Sequence, residues 1–217
     1  RTLDIPDDHL HLVDLTDLDG MRAAMRGIDT VVHLAAEPSE SAPWERILSS
    51  NIVGTYNTLE AARLEGVSRV VYGSSVRVNH GYKGSEPYKA IVERRFDDVP
   101  RPIPIVRVTD PPRPTEPYSA GKVWGEALSR VYAEQHGLSV LCVRIGWVNA
   151  EDWPSRDIYV SVWSSQRDIA RILRLAVDAP ASLRFEIVYG LSAGRWCWVD
   201  LDHSRDVLGY VPLDNAD

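Results

Sequence analysis

The chain has 217 residues, 44% of them hydrophobic and 25% charged, with a formal net charge of −7. That length and apolar content suit one domain with a sizeable core and at most a small appendage. The acidic balance argues against a nucleic-acid or anionic-membrane surface, which needs a basic patch, and no apolar run approaches the length of a membrane span.

In chain order, residues 18–27 are amphipathic and predict a first helix. Val31-Val32-His33-Leu34-Ala35-Ala36 predicts a buried strand running into small residues. Residues 44–65 predict a second helix, and Arg69-Val70-Val71-Tyr72-Gly73-Ser74-Ser75 a second strand ending in two serines. Residues 80–117 are rich in proline and charge, with Arg94-Arg95 and the run Pro100-Arg101-Pro102-Ile103-Pro104. Long loops of this kind in compact domains are often binding loops or lids. Arg94 and Arg95 there, and Arg77 just before, have two readings, recognition of an anion or plain solvation. Residues 117–136 predict a long helix, and Ser139-Val140-Leu141-Cys142-Val143-Arg144-Ile145-Gly146 a third strand. Near-continuous Val/Ile/Leu runs suit parallel strands covered on both faces. Strand–helix alternation then gives an α/β, doubly wound parallel sheet. Ligands bind such sheets outside the carboxyl ends of the strands, where Ala35, Ala36, Ser74, Ser75 and Gly146 fall.

The long helix carries Tyr118-Ser119-Ala120-Gly121-Lys122, a phenol and an ammonium at i and i+4 on one face. A lysine held beside a tyrosine favours the phenolate and lowers its pKa, which suits general acid/base work near neutral pH. An exposed helix face would show the same spacing, so the surrounding strand ends matter more than the pair alone.

Those surroundings resemble the extended short-chain dehydrogenase/reductases, the NAD-dependent epimerase/dehydratase family. The matching residues are His33-Leu34-Ala35-Ala36, Asn51-Ile52-Val53-Gly54-Thr55, Ser74-Ser75, Tyr118 to Lys122 and Arg144-Ile145-Gly146, in the family's order. Within the family the likeness is to uronate dehydrogenase-like members, through the stretch from Pro43 to Gly54 and through Ser161-Val162-Trp163-Ser164, Val188-Tyr189-Gly190-Leu191-Ser192-Ala193 and Leu208-Gly209-Tyr210-Val211-Pro212. The resemblance implies a Rossmann-like core over residues 1–150 and a small C-terminal substrate-binding portion over 151–217.

The family's first strand and Gly-x-x-Gly-x-x-Gly turn are not in this sequence. It opens at Arg1-Thr2-Leu3-Asp4-Ile5, which reads like the end of the family's second strand. The expectation is that the glycine turn lies outside this sequence. The alternative is a scaffold that truly lacks it and binds no cofactor. By resemblance, Asp4 meets the adenosine ribose and favours NAD over NADP, and Asp14 and Leu15 contact adenine. Asp4 also reads as an ordinary loop acid, and Asp14 as an N-cap of the first helix, although Thr16 and Asp17 are better placed for capping.

The resemblance also assigns roles. Tyr118 is the general acid/base, and Lys122 lowers its pKa and holds the nicotinamide ribose. Ser75 steadies the substrate oxygen, with a one-residue slip to Ser74 open. Asn51, a poor helix former inside a helix, holds a water of the proton relay or else sits on a solvated face. Leu34, Ala35 and Ala36 leave room for the cofactor, and Ile145 turns around the nicotinamide. Arg156 meets a sugar carboxylate, for which a guanidinium fork is suited, or is an ordinary surface arginine; Ser39 touches substrate. Where uronate dehydrogenases carry Asn-His after the serine, this chain has Val76 and Arg77. That departure bears on the uronate assignment and leaves the reductase reading intact.

The expected activity is therefore NAD-dependent oxidation or reduction of a sugar or sugar acid, uronate-like, by a Tyr-Lys-Ser site. The alternatives are a nucleotide-sugar epimerase or dehydratase and a cofactor-free binding or regulatory protein. A homodimer is implied by family habit. Cys142 and Cys197 read as free thiols, pointing to the cytoplasm. No metal is expected, because His9, His11, His80, His136 and His203 lack ligand spacing. Trp196 and Trp198 read as a strand or an aromatic core patch.

Overall fold

In a computed structural model that describes residues 9–154 and 160–217, four parallel strands form one sheet in the order β1-β2-β3-β4. They are β1 (Thr30–His33), β2 (Arg69–Ser75), β3 (Ser139–Ile145) and β4 (Phe185–Gly190). The helices are α1 (Leu18–Met25), α2 (Trp44–Arg46), α3 (Gly54–Leu64), α4 (Tyr88–Val92), α5 (Pro117–His136), α6 (Gln166–Val177) and α7 (Leu201–Leu208). A π-helical segment, Ile47–Val53, joins α2 to α3. The expected doubly wound sheet is thus observed. β1 is shorter than its apolar run, because Leu34, Ala35 and Ala36 leave the ladder.

Alternation within the continuous apolar runs explains the double cover. Val70, Tyr72, Val140 and Cys142 point to one face and pack with Met21, Leu59, Ala62 and Tyr132 of α1, α3 and α5. Val71, Leu141 and Val143 point to the other, against Ile172 and Ala176 of α6. Both sets are buried, so neither face offers a polar alternation to the sequence. β4, α6 and α7 come from the C-terminal part, and β4 pairs with β3 through Val143↔Val188.

Residues 80–117 do not form an open loop. A 3₁₀ turn (Val76–Gly84), α4 and a second 3₁₀ turn (Phe96–Asp98) fold there. Tyr88, Ile91, Val99 and Ile103 join Leu191, Trp198 and Val199 in a third core cluster. Trp198 is therefore core, as its alternation suggested. Arg95 ion-pairs with Glu86, Glu93 and Asp98 inside this segment, which accounts for its charge without a ligand. Both cysteines are free.

α5 has strong local signals at both ends. Pro117 occupies its first turn, Glu116 and Ser119 form a capping box, and Gly137 closes it at φ 70°. Ser119 is buried, its hydroxyl donating to the Glu116 carbonyl at 3.0 Å.

His33, at the end of β1, is 6% exposed and stacks on Tyr72 with ring centroids 5.9 Å apart. Burial first, and Lys122 second, push its pKa down to about 4. An unfolded histidine titrates near 6.5, so the unfolded chain binds the proton first as pH falls. Stability is complete above pH 6.5 and declines toward pH 4, with His33 contributing about 3 kcal/mol to the loss. Urea unfolding at pH 7 and pH 4.5 should show that decline, and His33→Leu should flatten it. An equal slope in the variant would exclude His33 as its source.

Candidate active site

At the carboxyl end of β2, three consecutive residues meet α5. The Gly73 carbonyl accepts from Lys122 Nζ at 2.7 Å. The Ser74 hydroxyl donates to Glu126 Oε1 at 2.6 Å. Ser75, whose hydroxyl accepts from the Arg77 N–H at 3.2 Å, lines the same cavity as Tyr118. Both serines are buried; Ser74 is committed to Glu126, whereas Ser75 lines the cavity with Tyr118. Ser75→Ala is expected to lower kcat by about tenfold, the value of one lost hydrogen bond to the reacting oxygen. Steady-state rates check this; an unchanged kcat would remove Ser75 from the site.

The cavity has a volume of about 370 Å³ and is walled by Ser75, Val76, Arg77, Tyr118, Ile145 and Trp147, with Pro38 and His80 at its margins. Gly146 also lines it; an added Cβ there would lie 2.3 Å from Ser164 Oγ and 2.4 Å from the Val162 carbonyl. Hence the turn after β3 needs glycine where Trp147 and Val162 pair.

The electrostatics differ from the expectation in one respect. Burial raises the Tyr118 pKa above its ordinary value, while the Ser75 hydroxyl and Arg77 pull it down. Lys122 is not among the groups that lower it. Its ammonium lies 5.8 Å from the Tyr118 ring centroid and 5.1 Å from that of Tyr72, and is spent on the Gly73 carbonyl. Burial brings Lys122 down to about 8, opposed by Glu126 and Cys142.

Arg77 is ion-paired to Glu40 and, at 3.2 Å, to Glu116. The cation that sequence left between anion recognition and solvation is neutralised by two carboxylates from the β1–α2 loop and the α5 cap. Near it, burial, Lys83 and Arg77 hold His80 neutral, with a pKa of about 2.

Asn51 is 1% exposed, which excludes the solvated-face reading. Its Oδ1 accepts from the Glu37 N–H at 2.7 Å and its Nδ2 donates to the Glu37 carbonyl at 3.1 Å. Both ends of the amide thus clamp the loop after β1, where the expected role had it holding a water. π-helical turns are frequent at functional sites, and this one aims Asn51 at that loop. Glu37, which sequence reasoning missed, accepts from the Ser39 N–H at 3.0 Å and pairs with Arg46. Ser39 itself is exposed in the loop, 3.1 Å from Ser41 Oγ, and is not among the cavity residues named for Tyr118.

Leu34 is 50% exposed and leans on Gly73, where an added Cβ would meet it at 2.9 Å. Ala35 is exposed and Ala36 half-exposed, leaving small residues open to solvent just after β1. A separate cavity of about 400 Å³ is lined by Asp14, Leu15, Thr16, Ser49 and Ser50. Asp14 accepts from the Thr16 N–H and hydroxyl at 2.8 and 2.7 Å, which hold its carboxyl below the usual range. Asp17, not Asp14, caps α1. These features fit the nicotinamide and adenine ends of a dinucleotide. Asp4 and Arg156 lie outside the described residues. Among the described residues no cluster of three His, Cys, Asp or Glu side chains could hold a metal, and no helix is long and apolar enough to cross a membrane.

Residues 1–152 match the family described as "NAD dependent epimerase/dehydratase family". The chain is 34% identical to the NAD-dependent glucose-6-phosphate dehydrogenase of Haloferax volcanii, over 98% of this chain and 80% of that protein. It is 35% identical to the L-arabinose 1-dehydrogenase (NAD(P)(+)) of the same organism, over 94% and 82%. A mutant of uronate dehydrogenase from Agrobacterium tumefaciens, solved in complex with NAD, superposes with a TM-score of 0.78 at 32% identity, covering 94% of this chain and 68% of that one.

Proposed function

Because the chain belongs to the NAD-dependent epimerase/dehydratase family, we propose that it is an NAD-dependent dehydrogenase of a sugar or sugar acid. The observation that carries the reading is the meeting of Ser75, Tyr118 and Lys122 at one strand end beside a cavity of about 370 Å³. When bound, NAD takes up the hydride from the substrate carbon. Tyr118 Oη receives the proton of the substrate hydroxyl, and Ser75 Oγ holds the same oxygen in line. Lys122 ties the helix that carries Tyr118 to the strand end through the Gly73 carbonyl. Its present partner, the Gly73 carbonyl, is a neutral acceptor that a ribose hydroxyl can share. Leu34, Ala35, Ala36 and Ile145 shape the nicotinamide shelf, and Asp14 and Leu15 the adenine end. NAD rather than NADP rests on Asp4.

Within this reading the substrate is uronate-like, with Arg156 and Arg77 as candidates for the carboxylate and Val76 and Ser39 as further contacts. For Arg77 to serve, the exposed Glu40 must give way, and an exposed ion pair is worth only about 0–1 kcal/mol. Pairing into a homodimer through the helices that begin at Trp44 and Pro117 belongs to the same proposal; Trp44, Leu48, Tyr56 and Val131 are exposed there. Two free thiols are in keeping with a cytoplasmic address.

The test is net NADH formation with glucuronate, L-arabinose and glucose 6-phosphate, alongside calorimetric NAD binding. Accumulating NADH separates a dehydrogenase from an epimerase, which returns the hydride within each cycle. NAD binding without net NADH on any sugar would favour the epimerase. Absence of both would sink the enzyme reading.

A further inference from the structure

We propose that Glu126 is the positioning residue of the site: it locks the Tyr118–Lys122 face of α5 to the strand ends and supplies the negative charge that keeps Lys122 an ammonium. The inference rests on the reading of Tyr118 and Lys122 as the proton-transfer pair.

The geometry is a zipper of two elements. Tyr118, Lys122 and Glu126 succeed one another at i, i+4 and i+8 on one helix face. They meet Ser75, the Gly73 carbonyl and Ser74 of β2 in turn. Glu126 is 4% exposed, and both oxygens of its carboxylate accept hydrogen bonds. Oε1 accepts from Ser74 Oγ at 2.6 Å and Arg144 Nε at 2.8 Å, and Oε2 from Arg144 Nη2 at 2.8 Å. This is a bidentate fork, the geometry that fixes a carboxylate in both position and plane. Arg144, 1% exposed at the end of β3, reaches on to the Tyr189 hydroxyl of β4 at 3.1 Å. Asn79 closes the network: its carbonyl oxygen accepts from Tyr189 Oη at 2.5 Å and Arg144 Nη1 at 3.2 Å, while its amide donates to the Val78 carbonyl at 3.2 Å. One carboxylate thus connects α5, three strand ends and the 3₁₀ turn that carries Arg77 and His80.

A buried pair of this kind is a weak source of stability, because the desolvation of two ions offsets their attraction. Its placement explains it better. The groups facing Lys122 are Tyr118 and Glu126 from α5, Tyr72 and the Gly73 carbonyl from β2, Cys142 from β3 and His33 from β1. Burial keeps the Cys142 thiol and the Tyr72 phenol neutral, and His33 is neutral near pH 7. Glu126 is then the formal negative charge of the set. Burial brings Lys122 down to about 8 even with that charge beside it, so removing the carboxylate lowers the ammonium fraction at physiological pH.

The experiment measures the Lys122 titration by NMR of ¹³Cε-lysine-labelled protein, without cofactor, together with the pH profile of kcat/KM. In Glu126→Gln the Lys122 pKa is expected to fall by about one unit or more, the size of one neighbouring charge. The alkaline limb of the profile should move down with it, and kcat/KM at pH 8 should fall about fivefold. Because the single variant leaves Arg144 unmatched and can fail to fold, the paired variant Glu126→Gln/Arg144→Gln removes both charges; it should fold and move the Lys122 titration in the same direction, by less, because the Arg144 cation leaves with the carboxylate. A folded variant with an unmoved Lys122 titration overturns the proposal, as does a lower melting temperature with an unchanged profile. If the wild-type protein turns over none of the sugars tested, the functional reading fails while the Lys122 titration still decides the role of Glu126.

Discussion

Tyr118→Phe is expected to reduce kcat by about 10²- to 10⁴-fold, the range that general acid/base catalysis contributes. The phenyl ring keeps the shape of the cavity wall beside Ser75 and Ile145, so NAD binding should persist within a few-fold. What is lost is the oxygen that, on the proposed mechanism, exchanges the substrate proton. The raised pKa of Tyr118 adds a sign to the pH dependence. Sugar oxidation needs the phenolate, so its rate should climb through the neutral range in the wild type. In Tyr118→Phe the residual rate should lose that climb. A variant within fivefold of wild type, with the same profile, would transfer the proton chemistry to another group.

Gly125→Ala is expected to destabilise the protein by about 2 kcal/mol and to impair turnover as well. Two effects compete. Alanine in a helix interior is favoured over glycine by about 1 kcal/mol. Overpacking a closed core costs about 1–3 kcal/mol or more. Here an added Cβ would lie 2.1 Å from Tyr72 Oη and 2.5 Å from its Cζ. Tyr72 cannot swing aside: it is 1% exposed, stacked on His33 and covered by Lys122. The helix must therefore move away from β2, and Lys122 and Glu126 move with it. Gly84, where an added Cβ meets nothing within 4 Å, provides the control: Gly84→Ala should be close to neutral in urea unfolding. Equal stabilities of the two variants would show that α5 is not packed this tightly on β2.

The parts of this protein legible in the chain itself are those set by neighbouring residues. The Val-rich runs of β2 and β3 have bounds that the sequence marks within one residue, since both faces of each are buried and no polar alternation interrupts them. α5 is equally plain, because Pro117 and Gly137 act on their own backbone. The spacing of Tyr118 and Lys122 needs only a helix to bring them to one face. The same spacing, carried one turn further, would have found Glu126.

What the tertiary structure decided depends on partners far along the chain. Ser74 and Ser75 are chemically identical, and only the arrival of Glu126 from 52 residues away commits the first. Asn51 is claimed by the Glu37 backbone, and Arg77 by Glu40 and Glu116. The segment 80–117 reads as a loop because its apolar residues are scattered among prolines and charges. It becomes core because Trp198 and Leu191 come to cover it. Local propensity acts through the backbone of a few residues, whereas a hydrogen bond or a packed face needs the whole fold to say which groups are left over to meet.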